Sequence, residues 1–182
     1  MNMFDPTIFD NLKTVLEGGL YDLDRENRIR ITGRQDLLDL AAMSRAFRME
    51  FVLTNGQDGI TEIELSSELS DFAAELSRIR IVEQEPPGCR IRIRHHFPDW
   101  ESVEAHLDTV RASLRELWGE EVHIKQVIEI VLGEEPAQQN LGKQFTAELT
   151  FLRKIDERHI GELPRLLMHT VRSFEKLRNL LR

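Results

Sequence analysis

The sequence predicts an α+β protein: two tandem ferredoxin-like (split βαβ) units with antiparallel sheets, preceded by an N-terminal helix. Three observations lead there. The tetrapeptide Arg-Ile-Arg-Ile occurs at 28–31, 78–81 and 90–93, and strict alternation at period two marks a strand with one buried and one open face. The copies at 28–31 and 90–93 are each followed by a helical spacing and then by further alternating segments, the element order of a split βαβ unit. Glu85-Pro86-Pro87-Gly88 is the clearest break in the chain. It divides the 182 residues into a first unit, 1–85, with an N-terminal helix plus βαββαβ, and a second, 86–182, with βαββα.

Asp5-Pro6 is a helix start, because Asp accepts from free backbone N–H groups and Pro suits the first turn. Ile8, Leu12, Val15 and Leu16 form its apolar stripe, which the pattern ends at Gly18-Gly19. After the strand at Arg28–Ile31, Thr32 and Gln35 resemble a capping box, and Leu37, Leu40, Ala41 and Phe47 mark a second helix. Met49, Phe51 and Leu53 alternate with polar positions, Asn55-Gly56 signals a turn, and Thr61, Ile63 and Leu65 alternate again, which reads as a hairpin. Ser67 or Ser70 caps a short helix bearing Leu69, Phe72, Ala73 and Leu76, and this runs into the strand at Arg78–Val82.

In the second unit Arg90–His96 is a strand. Pro98-Asp99 opens a helix whose Trp100, Val103, Leu107, Val110, Leu114 and Leu117 keep a three-four spacing until Gly119. Val122–Leu132 is a long strand whose alternation breaks at Gln126-Val127, as at a bulge. A polar loop over Gly133–Lys143 leads to a strand carrying Phe145, Ala147, Leu149 and Phe151. The last helix carries Leu163, Leu166, Leu167, Val171, Phe174, Leu177, Leu180 and Leu181, an arc broader than one stripe. Such an arc is wedged between two layers or meets another subunit.

Composition limits the function classes. Hydrophobic residues make up 41% and charged residues 31% of the chain, enough for a core that stays in solution. No apolar run approaches the ~20 residues that span a bilayer, and the N-terminus lacks a basic region followed by an apolar stretch. Cys89 is the one cysteine, which excludes an internal disulfide and fits a reducing, cytoplasmic setting. The net charge of −8 lies entirely in residues 1–85; the remainder balances. Neither half has the positive field that nucleic acid or an anionic membrane needs, so the expected partner is a protein or a second copy of the chain. Arginine supplies 19 of the 24 basic residues, the side chain best suited to carboxylates and phosphates.

The usual strand order would set the 28–31 strand centrally. Arg28 and Arg30 would then have Glu62 and Glu64 on one side and Arg78 and Arg80 on the other. In the second unit Arg90, Arg92 and Arg94 would stand beside Glu148, with His123, Lys125 and Glu129 further out. These arginines, with His123, are the candidate partner- or anion-binding residues. Like-charged columns repel unless an anion, an acidic partner or another acidic group lies between them.

Chemistry-bearing residues are sparse. His95-His96 with Asp99 is the one local cluster, and adjacent residues on a strand point to opposite faces. One histidine at most could therefore join Asp99 and His123 in a small enzyme's site between the units. His106, His159 and His169 match no metal spacing. Cys89, in what reads as an exposed turn, lacks an assured base. No phosphate-cradling glycine loop, nucleophile elbow or cofactor motif occurs. The expected function is a non-enzymatic interaction or regulatory module acting as a monomer or homodimer. A small enzyme and a small-anion sensor are the alternatives.

Overall fold

The alternating segments pair into one sheet. The computed structural model describes residues 7–56, 59–77, 86–98, 103–131 and 142–180. In chain order these form α1 (Thr7–Arg25), β1 (Ile29–Asp39), β2 (Ser44–Leu53), β3 (Ile60–Ser67), α2 (Leu69–Ser77), β4 (Arg90–Phe97) and α3 (Val103–Trp118). A 3-10 turn (Gly119–Glu121), β5 (Val122–Val131), β6 (Gly142–Phe151), a further 3-10 segment (Glu157–Glu162) and α4 (Leu163–Leu180) complete them. The fold is α+β, with an N-terminal helix and a six-stranded antiparallel sheet of order β1-β2-β3-β4-β6-β5.

That order departs from the two-unit layout. β3 pairs directly with β4 along Ile60–Ser66 and Arg90–His96, so one sheet runs across the Pro86 break. β1 lies at an edge beside β2, with Arg30 opposite Val52, and therefore does not sit between Glu62/Glu64 and another strand. The stretch at Arg78–Val82 lies outside the described residues.

The expected helix after Ile31 is instead the arm of a hairpin. β1 continues to Asp39 and pairs with β2 back from Ser44, while Asp39 Oδ1 accepts from the Ala41 and Ala42 amides at 2.9 and 3.0 Å to close the turn. The pairing slips between Ile31 and Gly33. A one-residue slip moves every later side chain to the other face, so Arg34 and Asp36 point toward α1. Arg34 Nε donates to Glu17 at 2.6 Å, Lys13 pairs with Asp36 at 2.5 Å, and Arg45 pairs with Asp10 at 3.0 Å. These cations lie over the rings of Phe47 and Phe9. A helix-facing side built from charges over aromatic rings has no period-two hydrophobic signal, and Leu37 and Leu40, which mimic a helical stripe, are exposed.

Three helices cover one face of the sheet and share its core. Phe9, Leu12, Leu16 and Leu20 of α1, Val110 and Leu114 of α3, and Leu167, Val171, Phe174 and Leu177 of α4 bury against Phe47, Met49, Phe51, Ile63, Ile91, Ile93, Phe145 and Leu149. α4 lies between α1 and α3 as well as on the sheet. Its wide arc is thus accounted for by three neighbours within the chain. α1 does not stop at Gly18-Gly19. It runs through both, because Leu20 and Leu23 continue the stripe. A Cβ at Gly19 would come 2.6 Å from Leu167 Cδ1, so the glycine lets α1 and α4 approach. Nor does β5 bulge: its pairing with β6 is unbroken from Val122 to Val131. Gln126 simply takes an inward position, and its Nε2 donates to the Leu107 carbonyl of α3 at 2.9 Å.

Candidate functional site

Among the described residues, the face opposite the three helices carries polar side chains in register, which the pairing arranges in two rows. One row reads Glu50, Glu62, Arg94, Glu148, Lys125, and the next Arg48, Glu64, Arg92, Thr150, His123. Opposite charges therefore alternate from Glu62 to Lys125 in the first row and from Arg48 to Arg92 in the second, while Glu50 and Glu62 are like-charged neighbours. Arg94 is the hub. Its Nε donates to Glu148 at 2.8 Å, and its Nη1 pairs with Glu62 and approaches Glu64 at 3.8 Å. Glu64 also accepts from Arg48 Nε at 2.5 Å and from Arg92 Nη1 at 3.3 Å, which leaves it 4% exposed.

The electrostatics follow from this crowding. Burial pulls the Arg94 guanidinium down, but its hydrogen bond to Glu148 and the fields of Glu62 and Glu64 outweigh that and hold it above its ordinary value. Glu148 sits below the usual carboxylate range, because Arg94 and its neighbours outweigh the opposing effect of burial. Glu64 separates Arg48 from Arg92, and Arg94 lies between Glu62 and Glu148, a checkerboard that the chain supplies itself. Arg92 Nε is shielded from solvent and has no hydrogen-bond partner among the described residues.

The expected site residues separate into groups. Arg90, Arg92 and Arg94 lie together on β4, beside Glu148 as expected, and His123 shares a row with Arg92 one strand beyond Thr150. Arg30 stands on the β1 edge, and Arg28, just before β1, donates Nη1 to Met168 Sδ of α4 at 2.8 Å. Both are remote from β4, because β2 and β3 intervene. Arg78 and Arg80 lie outside the described residues. Arg48 was missed, since its segment read as the tail of a helix. Its period-two alternation with Phe47, Met49 and Phe51 was the available signal.

The histidines of the enzyme alternative do not converge. His95 points into the helix-covered core and is fully buried, His96 bonds Thr146 Oγ1 on the opposite face at 2.9 Å, and His123 is exposed on β5. Asp99 lies outside the described residues. Among those residues no group of three His, Cys, Asp or Glu side chains could hold a metal.

Cys89 is not on an exposed turn. Its N–H and carbonyl both bond Ile155 at 2.8 Å, and its side chain is 1% exposed in the core. Burial, with Asp71 and Glu75 nearby, pushes the thiol up to about 12. Without thiolate there is no nucleophile. At pH 8 a disulfide reagent is expected to label the native chain at least about a hundredfold more slowly than the denatured chain; equal rates would refute this burial.

No family model, curated protein or solved structure matches the chain. No helix among the described residues is long and apolar enough to cross a membrane.

Proposed function

We propose that this protein is a non-enzymatic interaction module that receives a protein partner, or a second copy of itself, on the helix-free face of its sheet. The observation that supports this most directly is the in-register charge checkerboard centred on Arg94 and Glu64. Its guanidinium and carboxylate groups are held by one another before any partner arrives. Holding them fixed lowers the ordering cost of binding, and the alternating pattern sets partner register and choice more than raw affinity. The exposed margin of this face, beside His123, offers Lys125 and Arg30, which form no ion pair among the described residues. A cytoplasmic setting is part of the same reading and rests on the single buried cysteine.

A photo-reactive side chain placed at Lys125 tests it, with Arg111 on α3 as the matched control position. Cross-links from 125 but not from 111, either to one protein in a native extract or to a second copy, are the expected result. Sedimentation of the purified chain separates the two occupants. Equal cross-linking from both positions, or none from 125, would remove the proposal.

A further inference from the structure

On the other side of the molecule, where α3 ends and α4 begins, lies a groove of about 980 Å³. That is at the upper end of small-molecule sites. Its apolar lining includes Ile91, Trp118, Phe151, Ile155 and Leu166. The Trp118 ring is fixed from two sides, edge-on to Phe151 with centroids 5.6 Å apart and against His169 at 5.0 Å. His169 is itself anchored by Nε2 to the Leu117 carbonyl at 2.9 Å. The Trp118 indole N–H has no hydrogen-bond partner among the described residues.

The rim carries four cations together with two carboxylates, Glu121 and Glu162. Arg153, Lys154, Arg158 and Arg165 all border the groove. Two of them are committed within the chain: Lys154 to Asp71 at 2.8 Å and Arg158 to Asp156 at 2.7 Å. Arg153 and Arg165 are exposed and form no ion pair among the described residues. An aromatic floor beneath two uncommitted guanidiniums fits a ligand with an apolar body and one anionic end. An apolar body alone would leave the arginines unused, and a bare anion would leave the floor wet.

We propose that this groove binds a small amphipathic anion, its hydrocarbon body against Trp118 and Phe151 and its carboxylate at Arg153 and Arg165. The site lies on the helix-covered side of the sheet, so its fate is independent of the partner face.

The chain has two tryptophans, so Trp100→Phe leaves Trp118 as the sole indole reporter. Decanoate, kept below micelle-forming concentration, is expected to change its emission saturably. Decanol should bind at least about tenfold more weakly and decyltrimethylammonium not at all, since a charge-assisted contact to arginine contributes at least that factor. The double variant Arg153→Ala/Arg165→Ala should lose at least about tenfold for decanoate and nothing for decanol. Both sites are on the surface, so a melting curve confirms that the variant is folded. Calorimetric titration of the unaltered chain repeats the measurement without the Trp100 change. No saturable response to decanoate, equal binding of decanol, or undiminished decanoate binding by the double variant would each overturn the proposal.

Discussion

Arg94→Ala is expected to destabilise the protein by about 2–3 kcal/mol at neutral pH, more than any other single change on the open sheet face. Removing one partner of a largely buried ion pair costs more than the pair contributes, because the other charges stay behind unpaired. Here Glu62 and Glu148, with side-chain exposures of 14 and 23%, lose their ion-pair partner, while Glu64 keeps Arg48 and Arg92. Partial exposure of Glu148 keeps the figure below that of a fully buried triad. The pH dependence has a definite sign. Arg94 holds Glu148 below its ordinary value, so this interaction adds stability above the unfolded carboxylate range near 4.5 and loses it as pH falls through the folded value. The gap between the parent and Arg94→Ala should therefore narrow in acid. It should also narrow when Glu148→Gln is added to the variant, because one like charge is gone. Arg94→Lys should be intermediate, since an ammonium cannot reach two carboxylates with a rigid fork. Chemical denaturation at pH 7 and pH 4 measures all of this. An Arg94→Ala chain within 0.5 kcal/mol of its parent at pH 7, about the scatter of ordinary surface changes, would mean that the checkerboard is a solvated surface without structural weight.

Sequence legibility tracked how each element buries its face. β4 and β6 alternate isoleucine or phenylalanine with polar residues, and α4 carries a long apolar stripe; these were readable within a few residues, as was the end of α3, whose expected start at Asp99 lies outside the described residues. Strand partners were not. The pairing of β3 with β4 depends on Glu62 and Glu64 meeting Arg94 and Arg92, a match between segments that a repeat-based layout assigns to different units. β1 was readable only to Ile31, because beyond the slip at Gly33 its inward positions are Arg34 and Asp36, which are satisfied by Glu17 and Lys13 of α1. Local pattern cannot distinguish a charge that lies over an aromatic ring from one that faces water. The same limit hid the groove, whose Trp118, Phe151 and Arg165 come from three separate elements.

His95 provides the second large effect and the one with the clearest titration. The sequence leaves open which of His95 and His96 faces inward; the alternation with Ile91 and Ile93 carries His95 into the core. The structure makes it a connector. Thr61 Oγ1 on β3 donates to Nδ1 at 2.9 Å, and Nε2–H donates to Ser173 Oγ on α4 at 2.9 Å. That hydroxyl donates in turn to the Thr170 carbonyl at 2.9 Å. The imidazole also stacks on Phe174, with centroids 5.4 Å apart. Each ring nitrogen has one partner, and this directionality suits a neutral ring. Burial, assisted by the charge of His96, pulls His95 down to about 3. In the unfolded chain it would take a proton near 6.5. Between those values the unfolded state binds more protons, so stability rises with pH and is lost as pH falls from 6.5 toward 3. The slope is at most about 1.4 kcal/mol per pH unit, or roughly 2 kcal/mol by pH 5, before most carboxylates begin to titrate. His95→Gln should be destabilised by about 2 kcal/mol at pH 7 through disrupted hydrogen bonds and stacking, and its stability should vary less with pH between 6.5 and 5. Urea denaturation across that window decides the matter: parallel pH profiles for parent and variant would show that His95 is not held neutral between β3 and α4.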